Sequence, residues 1–307
     1  MKAYLNILYW LITLLVGSVS RIEGDESCQT VACQFKAPNP STPAETAAAW
    51  RAADESLWNY VASQVPAVLE HTGAAAFDEH LKGVQAVLRY WEAPEYLTHA
   101  GLFHSIYGTE GFQGFSLPLS ERQAIRNLIG SKAEYLAFVF CMLDRSTLDE
   151  TIFAWDENNR PPANHTFILK ARPELGRFPL TLTKEEWLDF IELTLADWLE
   201  QVEGAAEKAN PTYFWEVGQS YVYRRTAYKR MSELLAVERA PRLTKVAPAM
   251  WEAVMATESP ESRHLVQMRT PPMSTAAAVA WSALRASGAE DIPESFAPQP
   301  MAAECTL

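Results

Sequence analysis

Three polar residues at apolar positions are the part of this sequence best suited to chemistry. His80 lies on the apolar face of one predicted helix, His104 ends the run Ala100-Gly-Leu-Phe103 on the next, and Asp197 lies at the edge of an apolar stripe on a much later helix. Burying a carboxylate is costly unless it is paired or bound to a cation. Imidazole nitrogen and carboxylate oxygen are natural ligands of divalent transition metals. The residues therefore predict a divalent metal site for manganese, iron or zinc, and the alternative for each is a hydrogen-bonded core side chain.

These residues lie far apart in the sequence, so packed helices must bring them together. Facing helices of a bundle build such sites in their shared core. The 3.6-residue periodicity predicts helices over about 44–69, 76–90, 96–107, 120–130, 131–143, 183–203, 211–235, 244–256 and 273–287. The patterns Ser120-Glu-Arg-Gln123 and Thr183-Lys-Glu-Glu186 have the form of capping boxes. Residues 145–182 are predicted to form a long loop. Together, the predicted helices indicate an all-α domain.

The order and spacing of several short motifs resemble one superfamily. The segments Glu70-His-Thr-Gly73, His80-Leu-Lys-Gly-Val84, Ala100-Gly-Leu-Phe-His-Ser105 and Leu195-Ala-Asp197 resemble the HD-domain metal-dependent phosphohydrolases. In layout they look closest to the hydrolase domain of bacterial alarmone enzymes. The resemblance implies a single HD-like helical bundle with its core at residues 65–205 and extra C-terminal helices at 211–287. It also implies that His80, His104 and Asp197 hold the metal.

The sequence departs from that pattern next to the second histidine. Ser105 stands where the family has a metal-binding Asp, and Gly108 and Thr109 replace the acidic pair that follows in alarmone hydrolases. Loss of an anionic ligand weakens a divalent site, and loss of the acids removes the usual groups that activate water. Glu110 is the candidate replacement base, with a solvated loop acid as the alternative. Further candidates near the metal or substrate are Ser105, Tyr107, Thr109 and His71.

The chain also resembles an uncharacterised family within or near this superfamily. The signature of that family is Ala100-Gly-Leu-Phe-His-Ser-Ile-Tyr-Gly-Thr-Glu110, together with a late Tyr221-Val-Tyr-Arg-Arg-Thr-Ala-Tyr228. Arg224 and Arg225 in the late segment either bind an anion or belong to an amphipathic helix that packs its tyrosines on the domain. No activity is implied by this second resemblance.

Three functions compete on these residues. The first is a metal-dependent hydrolase of a phosphorylated or nucleotide-like small molecule. The second is a degenerate member that binds a ligand or partner without turnover, which Ser105, Gly108 and Thr109 favour. The third is an iron-dependent oxygenase, because HD-like bundles with altered ligands can hold iron.

The first 20 residues have the pattern of a secretory signal peptide. A basic start is followed by an apolar run at residues 3–16 and small residues before a cleavage point. We therefore expect entry into the secretory pathway or secretion, with a membrane anchor at residues 3–16 or organelle targeting as alternatives. The sequon at Asn164 is a candidate glycosylation site, and Cys28 and Cys33 could close a small disulfide.

Composition limits the partners and the domain boundaries. The 307 residues carry a formal net charge of −12, which argues against a nucleic-acid-binding protein. A small anionic ligand bound through a metal remains compatible with an acidic chain, and the oligomeric state stays open. We expect a polar linker at 21–44, one helical domain at 45–287 and a disordered tail at 288–307.

Overall fold

Helices make up most of the chain in the computed structural model, which describes residues 30–64, 77–109, 117–209 and 216–265. The α-helices are α1 (Ala44–Gln64), α2 (Phe77–Tyr90), α3 (Glu95–Phe103), α4 (Arg122–Ile129), α5 (Ser131–Met142), α6 (Arg145–Ala154), α7 (Lys184–Ala206), α8 (Gln219–Val222), α9 (Arg225–Glu238) and α10 (Val246–Ala256). Two strands, β1 (Thr166–Lys170) and β2 (Pro179–Thr183), form an antiparallel pair. The expected all-α class is confirmed at this level, with a small two-stranded sheet added to it.

The helix α7 lies at the centre of the domain. Its 23 residues include buried side chains on every side of the helix, which is the pattern of a helix enclosed in a core. It contacts α2, α3, α5, α8, α9, α10 and both strands. Asp197, at the middle of α7, is therefore placed where side chains from several other helices can reach it.

The capping box predicted at the start of α7 is confirmed. The hydroxyl oxygen of Thr183 accepts a hydrogen bond from the Glu186 backbone N–H at 3.3 Å, and the Glu186 carboxylate accepts one from the Thr183 backbone N–H at 2.8 Å. Two N–H groups that the helix itself leaves without partners are thereby satisfied.

Removing this cap is expected to lower the stability of the whole domain. Thr183→Ala should reduce the free energy of unfolding by about 1 kcal/mol, the typical cost of losing a threonine cap. Thr181→Ala is the matched control, because Thr181 lies exposed on the same strand and should change stability by less than about 0.5 kcal/mol. Equal denaturation midpoints for the two variants would contradict the capping assignment.

The capping box predicted at Ser120 is wrong. A 3-10 helix, Leu119–Glu121, occupies this position, and α4 begins after Glu121 without a side-chain cap. Extended Pro118 starts the tight turn, and its carbonyl accepts the N–H of Glu121 at 2.9 Å. Ser120 therefore lies inside a turn, where it cannot act as an N-cap. The predicted end of this helix is correct, because Gly130 adopts a φ of 87° that few other residues tolerate.

The long loop predicted at residues 145–182 is also wrong. The carboxylate of Asp144 accepts the Ser146 N–H at 3.0 Å and caps α6. Further on, β1 and β2 pair so that Phe167 lies opposite Leu182, with their side chains on the buried face of the sheet. Buried and exposed positions alternate in both strands, but each strand has only five residues. The Asn- and Pro-rich stretch between α6 and β1 is typical of a loop and outweighs this short pattern.

The predicted linker at 21–44 is wrong from residue 31 onward. Val31–Phe35 forms a 3-10 helix, and Ala32 and Ala37 are buried. From Val31 onward the described residues belong to one compact unit. Cys33 is in a disulfide, but Cys28 lies outside the described residues, so the pairing of the two stays a prediction.

Two of the predicted helices are shorter than expected. The helix predicted at 96–107 ends at Phe103. The one predicted at 211–235 is interrupted between α8 and α9, where Arg224 adopts a left-handed φ of 47°. The signal or anchor at 1–20, the helix at 273–287 and the tail at 288–307 lie outside the described residues. Among the helices that are described, none has the length and apolarity to cross a membrane.

Candidate metal centre

Three helices bring the predicted ligands to one point. His80 projects from α2, His104 follows the end of α3, and Asp197 projects from α7. One ring nitrogen from each histidine and one carboxylate oxygen all lie within 4.8 Å of one another. The Nε2 atoms of both histidines lie 3.2 Å from Oδ1 of Asp197. In the described parts of the chain this is the one group of His, Cys, Asp or Glu side chains arranged to hold a metal.

The second nitrogen of each ring is held by an acceptor. Nδ1 of His104 lies 2.7 Å from the carbonyl oxygen of Gly101, and Nδ1 of His80 lies 2.6 Å from Oε2 of Glu200. Carbonyl and carboxylate oxygens only accept, so each Nδ1 carries the hydrogen. Each Nε2 then faces the carboxylate of Asp197, which also only accepts. A proton or a cation is therefore required between each Nε2 and the carboxylate of Asp197. A hydrogen bond from the second ring nitrogen to an oxygen acceptor is typical of metal-ligating histidines.

The electrostatics of the site favour positive charge. Burial would lower the pKa of His80, but Glu200 and Asp197 raise it to about 10. Burial would likewise raise the pKa of Asp197, but hydrogen bonds and charge from His104 and His80 hold it well below its usual value. The carboxylates thus stabilise positive charge at the point where the three ligand atoms meet. The residues present fit a divalent cation in both donor type and charge.

Side chains packed around His104 fix its position. The ring of Phe140 meets the imidazole edge-on, with 4.9 Å between the ring centres. The thiol of Cys141 donates to the backbone carbonyl of His104 at 3.1 Å. Burial raises the pKa of this free thiol to about 12, so it stays protonated at neutral pH. Cys141 therefore acts as a core residue.

The other predicted site residues have different positions. The hydroxyl of Tyr107 donates to the buried carboxylate of Glu134 at 3.1 Å. Ser105 and Thr109 follow His104 in the chain and are buried. Nothing in the described structure joins their side chains to the three predicted ligands. Asn164 is exposed in a turn, as a glycosylation site requires. His71 and Glu110 lie outside the described residues, so their roles stay predictions.

Sequence reasoning missed the groups that support the ligands. Glu200 binds the ring of His80, the Gly101 carbonyl binds that of His104, and Gln201 donates to Oδ1 of Asp197 at 2.9 Å. A signal for Glu200 was present, because residues three apart on a helix lie on the same side and Glu200 is three residues after Asp197. A backbone carbonyl gives no such signal in the sequence.

A guanidinium group lies near the metal centre. The Arg145 guanidinium lies over the ring of Phe140, 4.7 Å from its centre, and the same ring packs against His104. Burial opposes the charge of Arg145, but Tyr228, Tyr223 and Asp197 raise the pKa of its side chain above the ordinary value. The guanidinium of Arg145 therefore lies one aromatic side chain away from the imidazole of His104.

The two arginines predicted as alternative anion binders have internal partners. Arg224 forms an ion pair with Asp149 and donates to the hydroxyl of Tyr228 at 3.0 Å. Arg225 pairs with Glu258 and donates to the backbone carbonyl of Tyr221 at 2.8 Å. Both arginines therefore hold helices together.

Comparison with known proteins gives one domain match and no activity. Residues 60–145 match the model of DUF6817, a domain of unknown function. The match includes His80 and His104 and ends before Asp197. No curated protein and no solved structure matches the chain.

Proposed function

We propose that this chain is a mononuclear metal-dependent hydrolase of a small phosphorylated or nucleotide-like molecule, built on an HD-like helical bundle. The observation that supports it best is the convergence of His80, His104 and Asp197, in which the Nδ1 atom of each imidazole is held by an oxygen acceptor. A divalent ion held there would polarise a phosphoryl oxygen and lower the pKa of a bound water. The histidines and Asp197 would hold the ion, and Glu110 is proposed to accept the proton of the attacking water.

The number of ligands supports a catalytic centre over a structural one. Structural zinc sites are usually closed by four protein ligands, whereas catalytic sites have three and leave a position for water or substrate. The described residues supply three ligating side chains and no further His, Cys, Asp or Glu in the same group. A coordination position is therefore left for water or substrate.

Nearby charge supports an anionic substrate. The site lies in an acidic chain, yet the half-buried guanidinium of Arg145 lies over the ring of Phe140, which also packs against His104. Guanidinium groups bind phosphate and carboxylate through paired hydrogen bonds. We propose that Arg145 holds the anionic part of the substrate while the reacting bond lies at the metal.

The ligand set favours one further candidate from a different class. Two histidines and one carboxylate with open positions are the ligands of non-haem iron oxygenases, and that is the donor set of His80, His104 and Asp197. A degenerate, non-catalytic binding protein is the remaining proposal, because Ser105 and Thr109 replace acids of the hydrolases.

Metal loading and turnover test these proposals together. The stripped protein is loaded in turn with Zn²⁺, Mn²⁺ and, anaerobically, Fe²⁺, and each form is assayed on a panel of phosphomonoesters, phosphodiesters and nucleotides. We expect one ion per chain and hydrolysis of at least one ester in the panel, with both absent in His104→Ala. Arg145→Met should raise KM about tenfold or more, because a hydrogen bond to a charged group contributes about 1.5–3 kcal/mol.

The control for Arg145 is an exposed arginine, and the outcomes separate the proposals. Arg160→Met removes an exposed guanidinium and should leave KM unchanged. Absence of metal from wild type and His104→Ala alike would exclude both enzyme proposals. Metal without turnover of any ester would favour the binding protein, and oxygen consumption by the iron form alone would favour the oxygenase.

We propose that the chain enters the secretory pathway. Disulfides persist in oxidising compartments, and Cys33 is in a disulfide. The signal pattern at residues 1–20 and the exposed Asn164 are consistent with the same route.

A further inference from the structure

The carboxylate of Glu200 joins two parts of the chain that are far apart in sequence. Its Oε2 binds Nδ1 of His80 at 2.6 Å, and its Oε1 binds Nζ of Lys36 at 2.8 Å. The carboxylate therefore has a partner on each of its two oxygens.

Gly83 provides the space that this carboxylate occupies. A Cβ at Gly83 would lie 2.2 Å from Oε1 of Glu200, far inside any real contact. Glycine inside a helix costs about 1 kcal/mol relative to alanine, and Gly83 lies inside α2, one turn after His80. The absence of a side chain at this position lets Glu200 approach His80 closely.

The segment that carries Lys36 is anchored on two of the three helices that form the site, α7 and α2. The N–H groups of Val31 and Ala32 donate to the carboxylate of Glu203 on α7, at 3.0 and 2.9 Å. The N–H of Ala37 donates to the carbonyl of Ala86 on α2 at 2.9 Å. Residues 31–37 thus connect the helix of Asp197 to the helix of His80.

We propose that Glu200 is a positioning residue that orients His80 for the metal, and that residues 31–37, through Lys36, complete the centre. This inference rests on the proposed metal site. Glu200 fixes the hydrogen on Nδ1 of His80, so that the Nε2 lone pair points toward Asp197 and the ring becomes a better ligand. Lys36 holds the other oxygen and prevents the carboxylate from turning toward the cation as a ligand itself.

Three substitutions test this arrangement by metal affinity, measured with a competing chelator. Glu200→Ala should weaken binding by about 10–100-fold, the usual effect of losing a carboxylate behind a ligating histidine. Lys36→Met should weaken it in the same direction and by less. Gly83→Ala should weaken it although alanine favours the helix, because Glu200 is displaced.

Gly83→Ala and Lys36→Met each have a matched control. Gly204→Ala places a methyl group in α7 where nothing lies within 4 Å, and Lys82→Met removes a half-exposed lysine on α2 that pairs with Asp78. Both controls should keep the wild-type affinity. Losses in the controls as large as in Gly83→Ala and Lys36→Met would overturn the inference, because a general effect on the helices would then explain the data.

A second measurement does not depend on metal. In ¹⁵N spectra of the metal-free protein, the ring nitrogens of His80 should shift in Glu200→Ala, while those of His104, held by the Gly101 carbonyl, should not. If wild type binds no ion, the proposed function fails and the His80 signals still test the contact with Glu200. If wild type binds an ion and Glu200→Ala binds it equally well, the positioning role is refuted. A loss as complete as that caused by removing Asp197 would make Glu200 a direct ligand and would also overturn the inference.

Discussion

Asp197→Asn is expected to abolish metal binding and leave a folded protein. The amide is neutral and is a much weaker ligand than the carboxylate, whose Oδ1 lies 3.2 Å from Nε2 of both histidines. The metal affinity should therefore fall by more than ~100-fold, which is the largest usual loss when a group that hydrogen-bonds to a ligand is removed. In a thermal unfolding assay, metal at 100 times the wild-type Kd should stabilise wild type by about 2.7 kcal/mol and the variant by less than about 0.4 kcal/mol.

A second buried aspartate on the same helix serves as the control. Asp189 pairs with Lys132 and Arg239 and lies away from the ligands. Asp189→Asn should lower stability but keep the stabilisation by metal. If Asp197→Asn keeps wild-type metal affinity, the three residues form a hydrogen-bonded core cluster and the metal centre is refuted.

Glu134→Gln is expected to cause the largest loss of stability. The carboxylate is fully buried and accepts from Nε of Arg122 at 2.5 Å, Nε of Arg126 at 2.9 Å and the hydroxyl of Tyr107 at 3.1 Å. Removing one partner of a buried ion pair leaves the opposite charge uncompensated and costs about 3–5 kcal/mol. Denaturant unfolding should show this loss as a lower midpoint.

An exposed ion pair gives the comparison for this prediction. Arg230 and Glu233 lie 3.4 Å apart at the surface of α9. Glu233→Gln should change the free energy of unfolding by less than about 0.5 kcal/mol, because exposed pairs contribute little. Similar midpoints for the two glutamine variants would mean that the Glu134 cluster does not hold α4 and α5 together.

The helical class and the convergence of three polar side chains could be predicted because each has a local signal. Apolar residues at helical spacing mark α2 and α7, and the capping box at Thr183 marks the start of α7 within one residue. His80, His104 and Asp197 stood out because a charged or polar group on an apolar face needs a partner. The order of the motifs then suggested one shared site, and the three side chains do meet.

The errors occurred where tertiary contacts decide the structure. Nothing in the polar sequence before Ala44 indicates that Val31 and Ala32 donate to Glu203, more than 170 residues away. Ser120 has the sequence pattern of a cap, but the turn that begins at Pro118 outweighs it. The strands β1 and β2 stabilise each other across an intervening segment, so neither is evident from its own five residues.

The spacing of acids along α7 restricts how the chain can vary in length. Asp197, Glu200 and Glu203 follow each other at intervals of three residues and reach the ligand site, the ring of His80 and the N-terminal segment in turn. One inserted residue among them would rotate the acids beyond it by about 100° around the helix axis and separate two of these contacts from the third. Insertions and deletions in relatives of this chain should therefore avoid this stretch of α7 and concentrate in exposed turns such as the one at Asn164.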